Sequence, residues 1–284
     1  MALCRLSRPI NRKSTAAQSW AKRMFIDVHC HLTGEEYAEC GGVEGVIARA
    51  KAEGVTRMIC SGFDLASSKI AYKLANRFEE VYFCAGFHPS ELDKYCDGDL
   101  DQIAALCKSE KCVAVGEIGL DYHFDDNPPK EFQKELFIKQ LRLANELGLP
   151  VVLHSRDAAK DTLDILTEHK ALLKKSGLMH CYSYSPETAE ELLALGLYFS
   201  FGGPCTFKNA KKVYSSVERI PAHRILSETD CPYLTPAPFR GVFPNQPKNI
   251  PFIVERLAQL KGMGMEELQN TIYENAKTLF FKLK

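Results

Sequence analysis

Short clusters of histidine and carboxylate recur along this 284-residue chain, and each follows directly on a run rich in Val, Ile, Leu, Met or Phe. The clusters are His29-Cys30-His31, Gly116-Glu117-Ile118-Gly119-Leu120-Asp121, His154-Ser155-Arg156, His180-Cys181-Tyr182-Ser183 and Glu228-Thr229-Asp230. Apolar runs of this length read as buried strands, and the stretches between them carry a helical period. A chain that delivers polar groups from the ends of many strands to one place must gather those ends on one face. A closed parallel barrel does this.

The periodicity predicts strands at 24–28, 56–60, 81–86, 112–115, 150–153, 177–179, 197–201 and 224–227. Helices are expected near 37–53, 65–78, 101–108, 129–147, 158–174, 186–195 and 209–217, with two closing helices at 252–260 and 265–282. This alternation is the pattern of the α/β class and of the (β/α)8 TIM barrel, a fold that typically takes about 250 residues. An open doubly wound sheet also alternates. It has no need of functional groups at the tips of strands one, four, five, six and eight together, whereas ring closure brings those tips to one mouth. The proline-dense segment 233–251 reads as a stiff, extended loop laid over that mouth.

Charge narrows the function. Lys and Arg number 36 and Asp and Glu also 36, so the chain lacks the basic excess of a protein that grips duplex DNA by neutralising phosphates. Any nucleic acid must be held locally. No apolar run reaches the roughly 18 residues of a membrane helix, so no membrane association is expected. The 11 cysteines are scattered without a CxxC pair or zinc-ribbon spacing, and several sit inside apolar runs, which points to a reducing, cytoplasmic setting. Residues 1–23 stand apart as Arg-rich and free of acid, the composition of a mitochondrial or other organellar transit peptide or of a disordered extension. Residues 24–284 are expected to form a single metallohydrolase domain.

His29 and His31 lie two apart at the end of the first strand, so the pleat turns both to one side, where two imidazoles can grip one ion. Glu117 follows the fourth strand between Gly116 and Gly119, which permit close backbone approach, and a carboxylate there can bridge two ions. His154 and His180 each end an apolar strand and supply nitrogens for a second ion. Asp230, after the eighth strand, suits both a ligand and the general base that takes a proton from a metal-activated water. Glu228, two residues earlier, offers a place for a third ion. His88, after the third strand without a paired ligand, reads as a substrate contact. No GxSxG elbow, P-loop or Rossmann fingerprint occurs, so serine, ATP and dinucleotide chemistry find no support.

With HCH at 29–31, GEIGLDY at 116–122, LHSR at 153–156, HCYS at 180–183 and ETDCPYL at 228–234 in this order, the chain resembles the TatD-type deoxyribonucleases of the metal-dependent hydrolase superfamily. The resemblance runs from about residue 24 to the C-terminus. It implies a TIM barrel, metal ligation by His29, His31, Glu117, His154, His180 and Asp230, and hydrolysis of DNA phosphodiesters, often from the 3′ end of single strands, with magnesium or manganese. Histidine-rich ligation suits zinc or manganese better than magnesium. The family's loop after strand eight usually reads RGKxNxP, whereas residues 240–247 here lack the lysine and run one residue longer. Phosphate contacts are therefore expected to fall on Arg156, Arg240 and His88. An ester or amide hydrolase, such as an aminoacyl-tRNA deacylase, is the alternative activity, because the same metal chemistry serves acyl groups. No protein partner is implied.

Overall fold

Runs rich in apolar residues become strands that are largely buried on both faces, the arrangement parallel sheets require. In the computed structural model, which describes residues 23–284, these are β1 (Phe25–Cys30), β2 (Val55–Ser61), β3 (Val81–Ala85), β4 (Cys112–Asp121), β5 (Val151–Arg156), β6 (Gly177–Met179), β7 (Tyr198–Phe201) and β8 (Ile225–Ser227). They pair in parallel and in chain order, giving a nearly closed (β/α)8 barrel. The basic leader expected at residues 1–23 lies outside the described residues apart from its last position.

The helices are α1 (Gly42–Ala52), α2 (Leu65–Arg77), α3 (Asp99–Cys107), α4 (Lys130–Leu147), α5 (Ala159–Glu168), α6 (Pro186–Ala194), α7 (Lys211–Arg219), α8 (Ile250–Lys261) and α9 (Met265–Leu279). Local chemistry starts some of them: Asp64 and Ser67 form a reciprocal capping box on α2, and Ser185 caps α6. Among the described residues no helix is long and apolar enough to cross a membrane. One helix expected at 37–53 is instead a 3-10 turn, Glu35–Cys40, followed by α1. Gly41 and Gly42 separate the two with φ of 77° and 67°, a left-handed conformation that a continuous helix cannot contain.

The expected fourth strand is also longer than its apolar run. β4 continues from Cys112 to Asp121, so Glu117 lies within the strand and not after it. Between the pairs Val115–Val151 and Ile118–Leu153, β4 advances three residues while β5 advances two. This is a bulge, and it re-aims the Glu117 side chain. A similar bulge interrupts β1 between the pairs Asp27–Met58 and Cys30–Cys60, at the position of His29.

The seam between β8 and β1 is closed by specific bonds. Asp230 N–H donates to the His29 carbonyl at 3.0 Å, and His31 N–H donates to the Cys231 carbonyl at 2.7 Å. Beneath them the buried Asp27 side chain accepts from Thr229 N–H at 2.9 Å and from the Thr229 hydroxyl at 2.5 Å. Barrel closure and the placement of His29, His31 and Asp230 are therefore one event.

Candidate metal centre

The strand tips converge on a cavity of about 800 Å³ whose wall includes His31, His88, Glu117, His154, His180 and Asp230. His29 lies behind it, fully buried. Glu117 is the hub. Its Oε2 stands 3.2 Å from His29 Nε2 and 3.7 Å from His31 Nε2. Its Oε1 stands 2.8 Å from His180 Nε2, 3.0 Å from His154 Nδ1 and 3.5 Å from His88 Nε2. One oxygen thus faces one pair of imidazoles and the other oxygen the second pair. Asp230 completes the first group, with Oδ1 3.3 Å from His31 Nε2 and 3.6 Å from His29 Nε2.

The outward-facing ring atoms say which nitrogen is left for a ligand. His31 Nδ1 lies 3.1 Å from the Ser61 carbonyl, which only accepts, so this nitrogen carries the proton and Nε2 presents its lone pair to the cavity. His29 Nδ1 meets the Ser61 hydroxyl at 3.1 Å. His154 is held the other way round: Nε2 contacts Asp121 Oδ2 at 2.9 Å, leaving Nδ1 toward Glu117. Imidazole nitrogens stand 3.2 Å apart between His29 and His31 and 3.1 Å apart between His154 and His180. Lone pairs that face one another this closely need a proton or a cation between them. The donor set of imidazoles and carboxylates fits a divalent transition-metal ion.

His88 differs. Its Nδ1 accepts from Ser90 N–H at 3.1 Å, so in the neutral ring the proton sits on Nε2, a donor aimed at Glu117 and not a lone pair. Burial, and then the neighbouring His154, push its pKa down to about 3, so the ring stays neutral. Arg156 lines the cavity with its guanidinium 5.0 Å from the Phe124 ring. Arg240 is not brought there: it is exposed, with its guanidinium 4.1 Å over the Phe207 ring. Glu228 is fully buried, accepting from Cys181 N–H at 2.6 Å and from the Ser200 hydroxyl at 2.5 Å. Its Oε1 approaches His180 Nδ1 at 3.8 Å, on the side of the ring away from Glu117.

Several residues that hold this arrangement went unassigned in the sequence. Asp121 orients His154. Gln133 and Gln140, seven apart on the inner face of α4, are both buried. Gln133 accepts from Asp121 N–H at 2.9 Å and donates to its carbonyl at 3.0 Å, and Gln140 brackets Phe87, beside His88, in the same way at 2.7 and 3.1 Å. The signal available was an amide at two core positions of an apolar stripe. Asn245 donates to the Thr229 and Tyr233 carbonyls at 3.0 and 2.7 Å, pinning both sides of Asp230, whose φ of 51° is a left-handed conformation Asp tolerates better than most residues.

Burial disfavours the charged form of Glu117, but His180, His29 and the other imidazoles outweigh it and hold its pKa well below the usual range. Burial alone would also lower the pKa of His31; its hydrogen bond to Asp230 and the charges of Glu117 and Asp230 instead push it up to about 9. A ligand imidazole must give up that proton to an incoming ion. The apparent affinity for a divalent ion should therefore rise as pH increases through about 9, with proton release on binding at neutral pH. Calorimetry in buffers of different ionisation enthalpy measures this directly, and buffer-independent heats at neutral pH would contradict it.

A barrel with this site is a metal-dependent hydrolase, and the comparisons agree. Residues 26–281 match the family described as TatD related DNase, and the chain belongs to that family. It is 45% identical over 257 residues to an uncharacterized metal-dependent hydrolase, YabD, of Bacillus subtilis, covering 90% of this chain and 99% of that one. It is 37% identical over 262 residues to the 3′-5′ ssDNA/RNA exonuclease TatD of Cronobacter sakazakii, covering 91% and 98%. Among solved structures, the TatD homologue YJJV of Escherichia coli K12 superposes with a TM-score of 0.84 at 32% identity, covering 90% of this chain and 98% of that one.

Proposed function

We propose that this protein is a nuclease that hydrolyses phosphodiester bonds of single-stranded DNA, releasing nucleotides from the 3′ end. The observation that carries the reading is the placement of Glu117, one carboxylate oxygen turned to His29 and His31 and the other to His154 and His180. His29, His31 and Asp230 would hold one divalent ion, His154 and His180 a second, and Glu117 both. Such a pair, when bound, lowers the pKa of water and neutralises charge on phosphoryl oxygens. The DNA substrate is supported by the family's description and by the exonuclease relative.

The chain's own residues account for the rest of the chemistry. Burial opposes ionisation of Asp230, but its hydrogen bond to His31 and the surrounding imidazoles hold its pKa low, so at neutral pH it is a carboxylate able to accept a proton from water. His88 Nε2–H, kept neutral by burial, and the Arg156 guanidinium would hold the phosphate oxygens. Glu228, grouped with His29 and His180, would be the place for a third ion. Of the three expected phosphate contacts, Arg156 and His88 line the cavity and would carry the role.

The test compares release of nucleotides from 3′-labelled and 5′-labelled single-stranded DNA with hydrolysis of an acyl-ester panel, under manganese, magnesium and zinc, beside Asp230→Asn. Early release of the 3′ label, dependent on metal and absent in the variant, is expected. Acyl hydrolysis without nucleotide release would overturn the nuclease reading in favour of the acyl one.

A further inference from the structure

The cavity carries six carboxylates in its wall, from Glu36, Asp64, Glu91, Glu117, Asp121 and Asp230. Among the described residues Arg156 is the one Lys or Arg that lines it. Bound divalent ions offset the inner acids, yet a polyanion gains little from the rest of such a wall. Lys94 pairs with Asp64 and Glu91, which leaves Arg156 as the one Lys or Arg among the described residues of the wall, so much of the affinity for a nucleic-acid strand is expected to come from its bases.

Exposed apolar side chains gather at this mouth. Nine large hydrophobics are exposed among the described residues, and four of them, Ile70, Phe124, Tyr233 and Leu234, line the cavity. Phe124 is 51% exposed and Tyr233 56%. Scattered exposed hydrophobics mean nothing singly, but a set gathered around a polar site marks a binding surface. Phe124 follows β4 and Tyr233 follows β8, four strands apart in a ring of eight, so the two residues come to the cavity wall from opposite sides of the barrel. Each is braced: the Arg156 guanidinium lies 5.0 Å from the Phe124 ring, and the Phe243 ring, 60% exposed, lies 6.4 Å from that of Tyr233.

We propose that Phe124 and Tyr233 are base-stacking platforms on the two sides of the scissile phosphate, which take unpaired nucleobases and confine the enzyme to single strands. This deepens the nuclease reading above and rests on it. Stacking on an aromatic face is tolerant of sequence, because every base offers a π-surface, and paired bases inside a duplex cannot reach it. Arg156 adds a cation beside the Phe124 face, suited to the phosphate that follows the stacked base.

The test uses the full chain with manganese and two single-stranded oligonucleotides, one intact and one with abasic positions next to the terminal nucleotide. Wild type should show a KM about tenfold higher for the abasic strand, the loss expected from one stacked base. Phe124→Leu and Tyr233→Leu together should raise KM for the intact strand by more than this, because both stacked bases lose their platforms, and should abolish the difference between the strands, because the platform that the missing base would have used is gone. Both side chains are exposed, so folding is not at stake, and the wild-type comparison stands even if the variants fail. Equal KM for the two strands in wild type, or a variant that still discriminates as wild type does, would overturn the proposal and leave the nuclease reading intact. Failure of wild type to cleave either strand would overturn both.

Discussion

Replacement of Glu117 by Gln is expected to lower kcat on a phosphodiester roughly thousandfold, a loss of about 4 kcal/mol of transition-state stabilisation. The substitution keeps shape and volume, so its effect comes from charge and lone pairs. Both carboxylate oxygens have imidazole neighbours within 3.7 Å, and an amide can offer a lone pair to one side only. It also removes the negative charge that would compensate the two proposed cations in a buried site. Backbone placement should persist, because Glu117 N–H donates to the Gly62 carbonyl at 2.9 Å whatever the side chain. Steady-state kinetics beside a circular dichroism spectrum give the answer. Activity within about tenfold of wild type in a folded variant would remove Glu117 from the centre of the mechanism.

Gly119→Ala should destabilise the fold by about 4 kcal/mol or more. A Cβ at this position would lie 1.9 Å from the His154 carbonyl oxygen and 2.9 Å from its carbonyl carbon, and φ is +144°. The obstacle is backbone, so no side-chain rotation relieves it. β5 must shift, and His154 shifts with it, so activity should fall along with stability. Urea denaturation reports the first effect and kinetics on the surviving folded fraction the second. Wild-type stability in this variant would mean that β4 and β5 do not approach this closely.

This glycine also shows how far the sequence reaches. Two glycines flanking a glutamate at the end of an apolar run announce a close backbone approach by residue type alone, and Gly116 and Gly119 do pack against Val152 and His154. Likewise, imidazoles at the ends of apolar runs point to a common mouth, because ring closure is the arrangement that gathers them. What stays hidden is set by register and by distant partners. β4 looks finished at residue 115, since glycine and glutamate end its apolar run, but a bulge carries the strand on to Asp121. The bulge depends on pairing with β5, which no local pattern reveals.

Asp121 escapes assignment for a related reason. Its role depends on which nitrogen of His154, 33 residues away, faces it. Gln133 and Gln140 look like ordinary interruptions of a helical stripe until the loops they hold are in place. Arg240 shows the converse: a cation in the loop after strand eight lies over the Phe207 ring, a contact that no local pattern announces. Residue type and spacing locate the strand-tip imidazoles and carboxylates, whereas the supporting contacts are tertiary.

Whether one carboxylate joins two ions is decided by anomalous diffraction from crystals grown with manganese. Two peaks are expected in the cavity, one beside His29, His31 and Asp230 and one beside His154 and His180, with Glu117 coordinating both. A single ion with Glu117 turned away, or ions bound elsewhere with these imidazoles unligated, would contradict the bridged pair.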